Sequence, residues 1–252
     1  MAGHSKWANI KHRKARGDAQ KGNVFAKVAK EIIVAAKQGG ANPDANTRLK
    51  IAVQKAREAN VPWDNIQRAI KRGTGELDGS SYEEFTYEGY GPGGVAVMLN
   101  VMTDNRNRTA SDVRYAFSKN GGNLGENGSV GWLFSKKGYI TVLKHAISED
   151  DLMLACVEAG AEDLNSTDEE VYEVLTAADE LYKVKEMLEQ QGVDIASAEI
   201  SMIPSTTISL SGREAEQMLK LMEMLDAHDD VQQVFANFDI SEEEMQKHAS
   251  TE

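Results

Sequence analysis

The chain has 252 residues, with 28 Lys plus Arg against 40 Asp plus Glu, which gives a net charge of −12. Spread evenly, this charge would exclude a nucleic-acid-binding protein, but it is not spread evenly. Residues 1–72 carry 16 basic and 5 acidic side chains (net +11), whereas the remainder carries 12 and 35 (net −23). Because Lys and Arg near phosphates release condensed counterions, this asymmetry predicts that the N-terminal part binds a polyanion.

Length and composition bound the class of protein. A hydrophobic content of 41% supports packed cores, and at roughly 100–200 residues per domain the length allows one to three domains. No apolar run approaches the about 18 residues of a membrane span, and the N-terminus lacks a signal-peptide pattern, so we expect a cytoplasmic protein without a membrane partner. The single cysteine, Cys156, excludes an internal disulfide, and its helical spacing from Leu152 and Ala159 predicts a buried packing role.

The basic N-terminal part is predicted to be helical. Apolar residues recur three and four positions apart with lysines between them, which is typical of an amphipathic helix with a cationic outer side. The first sixteen residues have too few apolar side chains for a core face, and we interpret them as a basic arm that orders on a partner. The predicted helices run from Asp18 to Gln38, from about Asp44 to Ala59, and from an N-cap at Asp64 to a stop before Gly73.

The candidate nucleic-acid-binding residues are cations of the arm and of the first helix, together with two arginines further along the chain. Arg106 and Arg108 precede a predicted helix start at which Thr109 and Asp112 resemble a capping box, and backbone donors at such a start favour anions. An ordinary solvated surface is the alternative for all of these cations. The set is Lys6, Lys11, Arg13, Lys14, Arg16, Lys21, Lys27, Lys30, Arg106 and Arg108.

From Tyr82 onward the pattern changes to strands alternating with helices. Two antiparallel strands are predicted around a Gly/Pro cluster that contains a literal G-x-G-x-x-G at Gly89, Gly91 and Gly94. A dinucleotide site requires this fingerprint to open a helix, whereas here an apolar strand follows it and Pro92 lies inside it. We therefore interpret the cluster as a tight turn.

The later segments predict two α/β units. The middle part has the order strand, helix, strand, strand, helix, strand of a ferredoxin-like split β-α-β unit. In this interpretation residues 128–134 form a strand of their own, and the weak strand at 162–166 is inferred from the order. A final helix and the strand at 231–240 would complete the first unit. The fold class is therefore α+β with three domains: a basic helical domain (1–75), a discontinuous α/β domain (76–135 plus 205–242) and an inserted ferredoxin-like α/β domain (136–204).

The sequence contains no arrangement of residues that points to catalysis. It has no P-loop, nucleophile elbow or H-E-x-x-H motif, and its five histidines are dispersed without metal-ligand spacing. His4 and His12, which are eight residues apart, have no carboxylate or thiol arranged around them. We expect a non-enzymatic protein without a cofactor, a metal or a small-molecule substrate.

Five motifs in fixed order resemble the YebC/PmpR family along essentially the whole chain. The resemblance implies three domains, one helical and two α/β, in a cytoplasmic and non-enzymatic protein. The motifs are GHSKWANIKHRK at Gly3–Lys14, P-x-x-N-x-R-L at Pro43–Leu49, NVPWDNIQRAI at Asn60–Ile70, YEGYGPGGVAV at Tyr87–Val97 and TDNRNRT at Thr103–Thr109.

The resemblance leaves two functions open. Members are usually named probable transcriptional regulatory proteins that bind DNA, whereas others, including a mitochondrial relative, promote translation through difficult stretches such as consecutive prolines. The first hypothesis is a DNA-binding regulator, although neither an evident helix-turn-helix nor a zipper is present. The alternative is a ribosome-associated translation factor that binds rRNA or tRNA through the basic part. A third hypothesis is an interaction scaffold that uses only the α/β domains, in which case residues 1–72 would be dispensable.

Overall fold

The computed structural model describes residues 18–79, 81–241, 243–245 and 248, with no side chains for residues 18–21. Its architecture is mixed helix and sheet, which confirms the predicted α+β class. In the described part of the N-terminal region, three helices form what we call the helical module: α1 (Asp18–Gly39), α2 (Thr47–Glu58) and α3 (Trp63–Gly73). Their apolar faces meet in one core, which includes the fully buried Ile32, Leu49 and Ile66.

The boundaries of α2 and α3 differ from the predicted ones because of their caps. The α2 helix begins at Thr47 rather than Asp44, since the side chain of Asn46 accepts a hydrogen bond from the Leu49 N–H (3.0 Å). The α3 helix begins one residue before Asp64, after Pro62, whose fixed φ suits a helix entry. Asp64 is thus a first-turn residue rather than the N-cap.

From residue 81 onward the described residues form what we call the body, which contains two four-stranded sheets, four helices of ten residues or more and a small parallel pair of strands. In chain order its elements are β1 (Glu83–Tyr90), β2 (Ala96–Thr103), α4 (Arg106–Lys119), β3 (Asn123–Leu124), β4 (Phe134–Leu143), α5 (Glu149–Ala159), β5 (Asp163–Asn165), β6 (Val171–Ala177), α6 (Leu181–Gln190), β7 (Ile195–Pro204), β8 (Ile208–Leu210), α7 (Gly212–Asp226), β9 (Val231–Ala236) and β10 (Phe238–Ile240).

The first sheet joins distant parts of the chain. Its strand order is β3-β1-β2-β9 with antiparallel neighbours, and β2 pairs with the C-terminal β9 from Val97↔Ala236 onward. One face of the sheet packs against α4 and α7, where Phe117 and Met218 are fully buried. Residues from either side of 134–204 therefore share one core.

The second sheet lies wholly within residues 134–204, with the order β5-β6-β4-β7 and antiparallel neighbours. The helices α5 and α6 connect its strands in the sequence of a split β-α-β unit. The weak strand predicted at 162–166 is confirmed as β5. Cys156 on α5 is buried, as predicted, and its burial raises the pKa of the thiol to about 11.

Two predicted strands are wrong in extent, for reasons visible in the hydrogen bonds. Residues 128–133 do not form a strand, because the carboxylate of Glu88 accepts the N–H groups of Gly128, Val130 and Gly131 (2.7–2.8 Å) and so removes them from any ladder; β4 begins only at Phe134. The predicted last strand is interrupted at Asn237, whose side chain accepts from the Ala96 N–H (2.7 Å). Beyond it, β10 pairs in parallel with β8.

The Gly/Pro cluster between β1 and β2 is a tight turn, as predicted. Pro92–Gly94 form a single 3-10 turn, and β2 rather than a helix follows. Gly93 has φ +66°, and a Cβ at this position would lie 2.5 Å from a Leu210 methyl carbon, so the turn requires glycine on both counts.

Candidate nucleic-acid interface

The structure describes only part of the predicted set of cations. The arm residues Lys6, Lys11, Arg13, Lys14 and Arg16 and the side chain of Lys21 lie outside the described residues. Lys27, Lys30, Arg106 and Arg108 lie inside, and all four lie near the contact between the helical module and the body.

Lys27 and Lys30 on α1 attach the module to the turn between α7 and β9. The Lys27 ammonium donates to the carbonyl of Asp226 (2.6 Å), and that of Lys30 donates to the carbonyl of Asp229 (2.8 Å) and to Oδ1 of Asp230 (2.6 Å). Lys30 is buried, with 9% of its surface exposed. In this structure, these two lysines therefore have a structural role, because they hold the module against the body.

Asp230 is the centre of a buried polar cluster, which we call the Asp230 cluster. Its Oδ2 accepts from the hydroxyls of Thr103 (3.0 Å) and Thr109 (2.7 Å) and from Nη2 of Arg108 (2.9 Å), while Lys30 occupies Oδ1. Burial alone would raise the pKa of this carboxyl, but the hydrogen bonds from Lys30, Thr109 and Arg108 outweigh it and hold the pKa well below its usual range. The carboxylate thus joins α1, β2 and α4 at one point.

The two arginines of the TDNRNRT motif are also engaged within the chain. The capping box predicted at Thr109 and Asp112 is wrong: α4 begins three residues earlier, at Arg106, and the side chain of Asn105 caps it by accepting from the Arg108 N–H (3.1 Å). Thr109 is fully buried, and its hydroxyl donates to Asp230 instead of capping the helix.

Each arginine has a partner in the body. Arg108 pairs with Asp104 and Asp230 at 2.9 Å while half of its side chain stays exposed. The guanidinium of Arg106 lies over the Phe85 ring, 4.9 Å from its centroid. The anion that meets Arg108 in this structure is therefore a carboxylate of its own chain.

Further contacts fix the orientation of the module. Arg48 makes a bidentate ion pair with Glu84 (2.9 Å for both bonds), and the Lys37 ammonium donates to the Ser81 hydroxyl (2.6 Å). Burial raises the pKa of Tyr182 at the start of α6, and the carboxylates of Glu31 and Glu58 add to this shift. The module thus contacts the first sheet and has its α1 and α2 carboxylates near α6.

Most of the exposed cations in the described part of the module lie on the hairpin of α2 and α3. Between residues 47 and 73 there are seven basic and two acidic side chains. Arg48 and Lys55 pair with Glu84 and Glu31 respectively. Lys50, Arg68 and Lys71 are exposed and have no ion-pair partner among the described residues. We call the exposed cationic surface of this hairpin the α2–α3 face: Lys50, Arg57, Arg68, Lys71 and Arg72.

The sequence-based set omitted the α2–α3 face, although a signal for it was present. These five cations all lie outside the apolar positions that form the module core, such as Ala52, Ala56, Ile66 and Ala69. Next to this face a shallow apolar groove of about 270 Å³ runs between α1 and α3, with Phe25 in its wall and Arg68 and Arg72 among its lining. The interface is thus cationic with an apolar element beside it.

No group of three or more His, Cys, Asp and Glu side chains in the described part of the chain is arranged to hold a metal ion. Across the same ranges, no helix has both the length and the apolar character that crossing a membrane requires.

Comparison with known proteins identifies the family. Residues 82–238 match the family described as "TACO1/YebC second and third domain", and residues 5–76 match "TACO1/YebC protein N-terminal domain". The chain belongs to the TACO1/YebC family. Family membership covers the helical module and both sheets, and it confirms the resemblance that the five motifs indicated.

Relatives in the family span the whole chain. A "Probable transcriptional regulatory protein" from Natranaerobius thermophilus is 57% identical over 249 residues, covering 98% of this chain and 99% of that one. One of the same name from Pelotomaculum thermopropionicum is 56% identical over 244 residues, covering 96% and 100%. The crystal structure of a conserved hypothetical protein from Aquifex aeolicus has a TM-score of 0.83 at 52% identity and covers 94% and 98%. The names of the first two relatives describe regulators rather than enzymes.

Proposed function

We propose that this protein is a non-enzymatic, cytoplasmic regulator of gene expression that binds nucleic acid through its helical module. The observation that carries the proposal is the α2–α3 face: its five cations are exposed on two helices of a small domain, and Lys50, Arg68 and Lys71 have no ion-pair partner among the described residues. Ordinary surfaces intersperse charges of both signs, whereas this hairpin carries seven basic and two acidic side chains. The predicted basic arm, residues 1–16, precedes α1 in the sequence and adds five basic side chains to the same end of the chain.

The acidic body supports the same orientation. Residues after 72 carry 12 basic and 35 acidic side chains, so a polyanion is repelled by the body and attracted to the module. The Asp230 cluster and the Arg48–Glu84 pair hold the two parts in one arrangement. The negative electrostatic potential of the body therefore directs nucleic acid toward the module, and the body also holds the module in a fixed orientation.

Duplex DNA is the first candidate target. The relatives from Natranaerobius thermophilus and Pelotomaculum thermopropionicum are each named "Probable transcriptional regulatory protein". A four-residue connection, 59–62, joins α2 to α3, and the exposed side of α3 carries Asn65, Arg68 and Lys71, which are side-chain types that contact base edges and phosphates.

Ribosomal RNA or tRNA is the second candidate target, in a translation factor that associates with the ribosome and relieves stalling at proline-rich stretches. The observation that favours it is the spread of the available cations over two helices, with Lys50 and Arg57 on α2 and Arg68 and Lys71 on α3. Cations on two helices suit contact with the phosphates of a folded RNA by shape rather than by one recognition helix in a groove.

Charge reversal of the α2–α3 face tests the proposal. With Lys50, Arg68 and Lys71 changed to Glu, we expect binding to duplex DNA or to ribosomes to weaken. The slope of log K against log salt should fall by about 2 to 3, since each lost phosphate contact removes about 0.7 to 0.9. The matched control reverses Lys183, Lys185 and Lys220, which lie on the body. Equal affinities for the two triple variants would reject the proposal.

Two further measurements separate the targets. Competition between a promoter fragment and random duplex at a fixed salt concentration gives a specificity ratio, and a ratio near one rejects direct sequence reading of DNA. Ribosome pelleting with Lys6, Lys11, Arg13 and Lys14 changed to Glu tests the arm. Unaltered co-sedimentation of that variant would reject a ribosome contact through these residues.

A further inference from the structure

Trp63 is a large aromatic side chain that the module core does not use. It is the first residue of α3 and is 50% exposed, whereas the core of the module is built from Ile, Leu, Val and Ala side chains of α1, α2 and α3. Its indole N–H has no hydrogen-bond partner among the described residues, unlike that of Trp132, which donates to the Ser129 carbonyl (3.1 Å). The indole of Trp63 therefore presents both an apolar surface and a free donor.

The guanidinium of Arg57 is stacked beside Trp63. Its central carbon lies 5.2 Å from the centroid of the ring, which is cation–π distance. Arg57 and Lys50 are seven residues apart on α2, or about two helical turns, so they lie along the same side of the helix. A chain of phosphates that follows Lys50 and Arg57 thus leads to the Trp63 ring.

The turn that carries Trp63 is fixed by its own backbone. The Val61 N–H donates to the Ala56 carbonyl (2.9 Å) and the Ile66 N–H donates to the Pro62 carbonyl (3.2 Å), while Asn60 adopts the left-handed conformation with φ +58°. The backbone that carries the ring is therefore ordered before a ligand arrives, which reduces the entropy lost on binding.

We infer that Trp63 and Arg57 form a stacking site for an unpaired nucleobase, with Lys50 and Arg57 contacting the adjoining phosphates. An indole stacks on any base through the π-face, and in a duplex these faces are covered by neighbouring base pairs. The site therefore selects single-stranded segments, loops or bulges over duplex. This inference rests on the proposed nucleic-acid binding by the α2–α3 face and names the form of nucleic acid that it takes.

The test compares a short single-stranded RNA with a duplex of the same sequence, at one salt concentration, on the full chain. Trp63→Ala should weaken single-strand binding by about tenfold and leave duplex binding unchanged. Trp63→Phe should restore most of the loss, because a phenyl ring also stacks. Trp132→Ala is the matched control, since Trp132 is 75% exposed but lies on the body. Equal losses of single-strand and duplex binding for Trp63→Ala, or no loss, would overturn the inference.

Fluorescence gives an independent readout. The chain has three tryptophans, so changing Trp7 and Trp132 to Phe leaves the indole of Trp63 as the reporter. Single-stranded RNA should quench its emission and duplex should not. If the charge-reversed α2–α3 variant loses binding while Trp63→Ala does not, the stacking site fails and nucleic-acid binding stands. If the charge-reversed variant binds normally, the proposed function itself fails.

Discussion

At the residue scale, Asp230 shows how one carboxylate can hold two parts of a chain together. It receives hydrogen bonds from Lys30 of α1 and from three side chains of the body, and only 4% of its side chain is exposed. Removing one partner of a buried ion pair leaves the other charge without compensation, which costs more than the pair itself contributes. The Asp230 cluster is therefore the place where a single change should separate the module from the body.

We expect Asp230→Ala to lower the free energy of unfolding by about 3–5 kcal/mol, because it leaves the buried Lys30 ammonium without its carboxylate partner and removes the acceptor that Thr103, Thr109 and Arg108 share. Urea unfolding followed by circular dichroism measures this. Asp229→Ala is the control, since the side chain of Asp229 is exposed and its backbone carbonyl still accepts from Lys30. A loss no larger for Asp230→Ala than for Asp229→Ala would contradict the role of the cluster.

The same carboxylate predicts a pH dependence. Its pKa in the folded protein lies below the unfolded value of about 3.9, so it contributes stability that is present above that value and is lost as the pH falls toward the folded pKa. The stability difference between the natural chain and Asp230→Asn should therefore be constant near neutral pH and shrink below about pH 4. Unfolding curves of both proteins over this range measure it, and a constant difference at all pH values would contradict the assignment.

At the element scale, Asn46 joins the end of α1 to the start of α2. Its Oδ1 caps α2 through the Leu49 N–H, and its Nδ2 donates to the carbonyls of Ala35 (2.8 Å) and Gly40 (3.0 Å). One side chain thus serves unpaired groups of two helix termini. Periodicity located both helices, but it placed the start of α2 three residues early, because an amide that bonds to both termini is visible only when the helices are packed.

We expect Asn46→Ala to destabilise the protein by about 2–4 kcal/mol, because it removes the N-cap of α2 and the side-chain donor to the carbonyls of Ala35 and Gly40. Asn46→Asp keeps the acceptor for the Leu49 N–H but turns a carboxylate oxygen toward two carbonyls, so it should not restore stability. Thermal unfolding of these variants beside Asn42→Ala, an exposed position in the same connection, measures the effect. Full stability in Asn46→Asp would show that capping alone matters.

The loop before β4 shows the limit of predicting strands from sequence patterns. Residues 128–134 alternate as a strand would, yet the Glu88 carboxylate accepts three of their N–H groups, and this outweighs the effect of burial and keeps the Glu88 pKa below its usual range. Glu88 is forty residues before this loop in the sequence. A contact between residues so far apart in the sequence does not appear in the local hydrophobic pattern.

At the scale of the whole molecule, the chain enters and leaves the second sheet at one point. The Ser205 N–H donates to the Leu133 carbonyl (2.8 Å), so the ends of the segment 134–204 are adjacent. We propose on this basis that the segment is an inserted domain, within the predicted boundaries of 136–204. The interface it shares with the first sheet is small and apolar, with Phe134 and Met202 contacting Met98 and Phe235.

Replacing residues 135–203 with a short Gly linker tests this organisation. The β2–β9 pairing and the core under α4 and α7 do not depend on the removed segment, so the shortened chain should fold with a dispersed NMR spectrum and lose some stability. A chain that keeps the segment but carries Leu99→Asp, which buries a charge in the first sheet, is the comparison and should not fold. An unfolded shortened chain would show that the two sheets fold only together.

The sequence by itself determined the elements whose signals are local. Helical periodicity, the Gly/Pro turn and the basic composition of the first 72 residues depend on neighbours in the chain, and so do the motifs that indicate the family. The tertiary structure decided which cations are available. Lys30 and Lys50 are both lysines on amphipathic helices, yet one is buried against Asp230 and the other is exposed. Charge is a property of the residue, whereas its partner is set by packing between segments about two hundred residues apart.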